Sequence, residues 1–264
     1  MNDHFKETVL AFFKSLSTVL AAVLILSGLQ VSAQELPEPI KALQKHGLKV
    51  VGELPAVGGL KAYAGYMDQQ PYALYLMPDG KHVMVGSVFD AKGDNVTREP
   101  LKVATAQPMS KRTLAQLEAS KWVRDGSAAA PRVVYAFTDP NCPYCHKFWE
   151  QSRPWVKAGK VQIRNILVGI LRDTSPGKAA AILAASDPAQ ALTENEQNFA
   201  AGGIRPLKPI PSEPRAALLA NEALMRELGM QGTPAIFYED AHDILHSATG
   251  APPDADLETI LGPR

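Results

Sequence analysis

Cysteine is nearly absent from this chain: its 264 residues contain two, Cys142 and Cys145. Two are too few to staple a small disulfide scaffold, and too few for a structural zinc site built from cysteine alone. A surplus of charge is missing as well. Lys plus Arg and Asp plus Glu both number 27, so no basic field calls for nucleic acid and no charged block suggests a tail. The apolar run from Leu16 to Leu29 falls short of the roughly 20 residues that cross a bilayer comfortably. It is preceded by Lys6 and Lys14 and followed by "VSAQ", with Val31 and Ala33 placed for cleavage after Ala33. This reads as a cleaved secretory leader over residues 1–33, and an uncleaved membrane anchor is the competing reading. The opening "MNDHFKE" is acidic and long for such a leader. The mature chain would begin near Gln34, outside the cytosol, where disulfides persist.

What is present is a chain long enough for two domains, 46% of it hydrophobic. Residues 34–105 read as one small unit, a helix over "EPIKALQKHG" followed by four strands. The strands are "LKVVGELP", "LKAYAGYM", "PYALYLMP" and "KHVMVGSVFD", divided by Gly, Pro and Asp turns. With no cysteine and no cluster of reactive groups, such a unit is expected to bind or dimerise. Residues 106–127 read as a linker helix, from Pro108 to Trp122 with Ser110 as its cap. From residue 128 to 264, strands and helices alternate and two strands pair near the end. That pattern predicts an α/β layer with a helical insertion.

The cysteines lie in "TDPNCPYCHKF", directly after the predicted buried strand "PRVVYAFT". Cys142 therefore falls at the first turn of a helix, where unpaired N–H groups and the positive end of the helix dipole meet it. A Cys-x-x-Cys thiol there has a pKa of about 3.5–7, so its thiolate dominates. Cys145, one turn further in and more buried, is placed to close a ring with it. The first cysteine attacks and the second resolves the mixed disulfide. A metal site needs about four ligands, and no second Cys-x-x-Cys supplies them. A purely structural disulfide closing so short a loop would gain little. Redox chemistry is the favoured reading, with neither metal nor cofactor expected. Pro143 suits the first helical turn. His146 is a candidate for holding the thiolate, against the plainer reading of a solvated helix face. Tyr144 is a candidate for touching substrate. "GTPAIFY" places Thr233-Pro234 before a strand, where the peptide bond can be cis and the backbone can receive an extended substrate.

With "DPNCPYC", "FWEQSRPWVKAGKVQIRNILVGIL", "AAAILAASDPA", "ELPEPIKALQKHG" and "TPAIF", the mature chain resembles the bacterial periplasmic thiol:disulfide interchange proteins of the DsbC/DsbG family, specifically its DsbG branch. The resemblance implies an α+β, cystatin-like N-terminal dimerisation domain joined by a helical linker to an α/β thioredoxin-fold domain with a helical insertion. It implies a V-shaped homodimer, an active pair at Cys142 and Cys145, a cis-proline at Pro234 after Thr233, and re-reduction by a DsbD-type membrane reductant. The clients implied are periplasmic proteins with oxidised cysteines, including sulfenic acids on lone cysteines. Asn141 and His146 depart from the branch's pattern, where an aromatic residue and a lysine are usual. Two other activities compete with a reductase or isomerase. One is a net oxidant of the DsbA type; the other is a holdase chaperone with secondary redox activity.

Overall fold

The computed structural model describes residues 35–264. The expected leader, with its cleavage after Ala33, lies outside the described residues. The described chain opens with helix α1 (Glu38–Lys45), which buries Ile40 completely. It ends at Gly47, whose φ of 97° is the left-handed conformation that suits glycine at a helix stop. Four antiparallel strands follow in simple order: β1 (Lys49–Val57), β2 (Leu60–Met67), β3 (Gln70–Leu76) and β4 (Val83–Val85). The strand expected over "KHVMVGSVFD" is thus only three residues long. Beyond it the backbone is drawn off the sheet, because the Val88 N–H bonds the Thr97 hydroxyl at 2.9 Å. Strand β2 is buried on both faces over Ala62–Tyr66, so its apolar and aromatic residues do not alternate with polar ones.

Helix α2 runs from Arg98 to Ala119, beginning ten residues before the expected start at Pro108. Proline inside a helix forfeits one hydrogen bond and usually marks a boundary; here the helix passes through it. Two side chains flanking Pro108 bond back to the preceding turn, Thr105 to the Leu101 carbonyl and Ser110 to the Ala106 carbonyl, each at 2.8 Å. Ser110 is therefore not a cap. It is buried in mid-helix, and its oxygen also accepts the Leu245 N–H at 2.9 Å.

The second sheet has five strands in the order β5-β7-β6-β8-β9. They are β5 (Trp122–Asp125), β6 (Arg132–Thr138), β7 (Val161–Leu167), β8 (Ala235–Glu239) and β9 (Leu245–Thr249). Strands β6 and β7 are parallel; the other pairings are antiparallel. Strand β5 falls where linker was expected, and it joins the sheet edge beside β7. Alternation along β6 sends Val134 and Ala136 to one face and Tyr135 and Phe137 to the other. The first face packs on α3 (Pro143–Lys157) and the C-terminal α7 (Leu257–Leu261), through Phe148, Trp155, Leu257 and Ile260. The second packs on α6 (Ser212–Glu227) and on the end of α2, whose Leu117 is fully buried among Phe137, Met225 and Phe237. Between β7 and β8 the chain inserts α4 (Ser175–Leu183) and α5 (Pro188–Gln197) before reaching α6.

Because Leu117 belongs to the core of the five-stranded sheet, Leu117→Ala is expected to lower stability by about 2–5 kcal/mol in chemical denaturation. A helix that merely bridged two units would lose well under 1 kcal/mol.

Candidate active site

Strand β6 ends at Thr138, and the loop "DPN" carries the chain across to α3. Cys142 is the N-cap of that helix, extended at φ −83° and ψ 116°, with Pro143 at the first helical position. Both thiols are free and buried, 2% and 3% exposed for Cys142 and Cys145. The Cys142 thiol donates to the Thr233 carbonyl at 3.2 Å. The Thr233-Pro234 bond is cis, as the sequence suggested. The loop before β8 and the start of α3, 91 residues apart, thus meet at one sulfur.

The two sulfurs have opposite acidities. The Cys142 pKa falls from 9.0 to about 6, chiefly because the Cys145 S–H donates to its thiolate. Burial opposes the fall; the Thr233 hydroxyl and the backbone N–H groups of Cys145 and Tyr144 add to it. Those N–H groups are free because they begin the helix. The buried Thr233 Oγ1 has no hydrogen-bond partner while Cys142 is a thiol, so it can turn its proton to the thiolate. Burial pushes the Cys145 pKa well above 9.0, and the neighbouring Cys142 thiolate pushes it further. Cys142, ionised at neutral pH, therefore lies beside a Cys145 thiol held protonated, an arrangement suited to attack by the first sulfur and resolution by the second.

Asp139, 1% exposed, organises the surroundings. Its carboxylate accepts the N–H groups of Asn141, Ile170 and Leu171 and the Ser175 hydroxyl, all within 2.8–3.0 Å. Asn141 extends the link: Nδ2 donates to Thr174 and Ser175, and Oδ1 accepts from Lys178 Nζ at 2.6 Å. Lys178 is itself buried and also bonds the Gly202 carbonyl. Beyond the cysteines, Tyr144 is 61% exposed, and Ile170 and Leu171, whose N–H groups bond Asp139, are 43% and 47% exposed.

His146 is placed differently from the expectation that it holds the thiolate. Its Nδ1 lies 2.9 Å from Glu196 Oε2, its Nε2 lies 3.6 Å from Glu150, and its ring stacks on Phe199. It is not among the groups that lower the Cys142 pKa. The reason is its partners: the His146 ring is held by Glu196 and Phe199 of the insertion. Asp139, Asn195, Glu196 and Lys178 were not singled out from the sequence. For Glu196 a signal existed, since it follows Leu192 by four residues and so shares the helix face that is buried.

A thioredoxin-like domain family matches residues 125–262. Thiol:disulfide interchange protein DsbG of Pseudomonas aeruginosa is 48% identical over 245 residues, covering 93% of this chain and 96% of that protein. The chain belongs to the DsbG family of thiol:disulfide interchange proteins. DsbG of Escherichia coli is 40% identical over 233 residues, covering 87% of this chain and 93% of that protein. A probable DsbC of Bordetella avium is more distant, 31% identical over 189 residues, with 71% of this chain and 61% of that protein covered. Family membership makes thiol:disulfide interchange the chemistry of this chain, and the five-stranded sheet with its flanking helices is a thioredoxin-like fold.

Alkylation of the reduced protein by iodoacetamide should follow the thiolate of Cys142, half-maximal near pH 6. Thr233→Val should move that midpoint upward. The lowered pKa also stabilises the reduced protein. That contribution is complete above the ordinary thiol value of 9.0 and is lost as pH falls through about 6. Asn141→Ala should cost about 1–3 kcal/mol in chemical denaturation, because it removes one of the two oxygens that hold the buried Lys178 ammonium.

Proposed function

We propose that this protein is a periplasmic thiol:disulfide reductase or isomerase in which Cys142 attacks oxidised client cysteines and Cys145 resolves the mixed disulfide. The observation that carries the reading is the opposite acidity of the two thiols, one near pH 6 and the other raised well above 9.0. Cys142 adds to a client disulfide and releases one client thiolate. Cys145 then displaces the second client sulfur and leaves a Cys142–Cys145 disulfide. Thr233, with its carbonyl 3.2 Å from the Cys142 sulfur, together with Pro234 and the exposed Tyr144, holds the client strand beside the nucleophile. A client carrying a lone sulfenic acid enters the same cycle, with water as the group released.

A homodimer formed through the N-terminal α+β unit is part of this reading. It is supported by the exposed Met67, Met84 and Val85 on that unit's strands. Re-reduction falls to a DsbD-type membrane reductant, and the leader over residues 1–33 accounts for export. Pro143 contributes the preset first turn of α3.

Cys142→Ser should abolish turnover of a glutathione mixed disulfide, and unchanged turnover would sink the mechanism. Cys145→Ala should trap clients on Cys142. Single-cysteine clients among the captured proteins would mark sulfenic acid reduction, and multi-cysteine clients isomerisation.

A further inference from the structure

The five-stranded sheet has two edges, and they are protected unequally. At one edge β5 carries the exposed Arg124 and is preceded by the exposed Lys121, charges of the kind that keep a sheet edge from pairing with another chain. At the other edge β9 has no such guard: the stretch "ILHSATGAPP", residues 244–253, contains no Lys, Arg, Asp or Glu. Strand β9 also has neither a proline nor a bulge, since its register with β8 runs unbroken from Leu245 to Thr249.

The pairing fixes which backbone groups of β9 remain. The Ile244 carbonyl accepts the Asp240 N–H at 3.0 Å and the Gly250 N–H donates to the Pro234 carbonyl at 2.8 Å, so the even-numbered positions face β8. In an antiparallel pair the alternate residues turn their N–H and C=O groups outward, here Leu245, Ser247 and Thr249. The Leu245 N–H is taken by Ser110 of α2, at 2.9 Å. Among the described residues the N–H and C=O groups of Ser247 and Thr249 have no partner, and both residues are exposed. Beside this edge lies an open groove of about 580 Å³ between β9 and α2, with Ser247 in its wall. Its apolar lining comes from Leu101 and Met109 of α2 and from Met230, Phe237 and Leu245. Arg98 and Lys102, one helical turn apart and exposed, also line it, and no carboxylate does.

We propose that β9 takes up an extended segment of a client polypeptide as a sixth strand, its apolar side chains in this groove and an acidic residue at Arg98 and Lys102. The inference rests on the reading in which Cys142 attacks client cysteines. The occupant follows from position. Strand β9 ends where Thr249 pairs with Ala235, the residue after Pro234, so the free edge continues the loop that holds the client beside Cys142. A strand laid on β9 bonds Ser247 and Thr249 through its own backbone, which any sequence offers. Its side chains alternate, so those on one face enter the groove. Selection then acts on extension and apolar character rather than on one sequence. A long unfolded client reaches this edge, whereas a small disulfide engages the cysteine loop alone.

The test follows reduction of two disulfides by the reduced protein over a range of substrate concentration. One is oxidised glutathione; the other is a longer unstructured peptide of alternating apolar residues with one Glu and one cysteine, carried as its glutathione mixed disulfide. Ser247→Pro removes the outward N–H and spares the bonds to β8. It should raise the half-saturating peptide concentration about 3- to 10-fold, the worth of one hydrogen bond, and leave the maximal rate and the glutathione kinetics unchanged. Ser247→Ala, which keeps the N–H, should match the wild type. Ala106→Trp, which fills the groove from α2, should also weaken the peptide alone, and it carries the test should Ser247→Pro fail to fold. An unchanged peptide constant in either folded variant overturns the proposal. So does an equal loss for glutathione, which marks a distorted active site, and so does an equal loss in Ser247→Ala. A changed oligomeric state with an unchanged peptide constant assigns the edge to a second copy and likewise overturns it. Reduction of both disulfides by Cys142→Ser would instead bring down the underlying reading of the cysteine pair, and this proposal with it.

Discussion

One buried carboxylate holds the site together. Asp139 lies in the three-residue loop between β6 and α3, and its four hydrogen bonds reach the cysteine loop, the segment after β7 and the first residue of α4. Its own carbonyl also accepts the Cys142 N–H at 3.0 Å. A carboxylate this deep is tolerable only when its lone pairs are filled, and these donors fill them with backbone N–H groups from two stretches of chain and the Ser175 hydroxyl from a third. The position of Cys142 is therefore not a property of α3 alone. It is set against the sheet end and the insertion by a single anion.

The chemistry at the sulfurs follows from the same arrangement. Cys142 stands where a helix leaves N–H groups unspent, and Cys145 stands one turn into the core. A three-residue difference in position thus becomes a difference in protonation state. Their coupling sharpens it, since the proton that Cys145 keeps is the one it donates to the Cys142 thiolate.

Much of this was legible in the sequence, for reasons that can be named. The cysteines announced themselves because strand, turn and Cys-x-x-Cys lie within one short stretch, whereas Thr233-Pro234 stood out through the resemblance to the DsbC/DsbG family. Each strand of the N-terminal sheet was bounded by Gly, Pro or Asp. What escaped depended on distance. Asp139 looked like a turn residue until Ile170 and Ser175 were brought to it, and Glu196 looked like one carboxylate among several on a polar helix. Pro108 misled because local rules make it a helix boundary, whereas tertiary packing along α2 outweighs a missing hydrogen bond. Strand β5 was too short, at four residues, to show a period of two. His146 drew attention by adjacency to Cys145, yet adjacency on a helix means facing elsewhere.

The docking of Leu117 into the second core changes what counts as a separable piece of this protein. A fragment starting at Asp125, where the thioredoxin-like family match begins, would discard Leu117 together with nearly all of β5. Met225 and Phe237 would then be left facing water, and β7 would become a bare edge ready to pair with another chain. Such a fragment would be insoluble for reasons unconnected with its cysteines. Any cut meant to isolate the five-stranded sheet with its core intact must therefore fall N-terminal to Leu117, within α2 or before it.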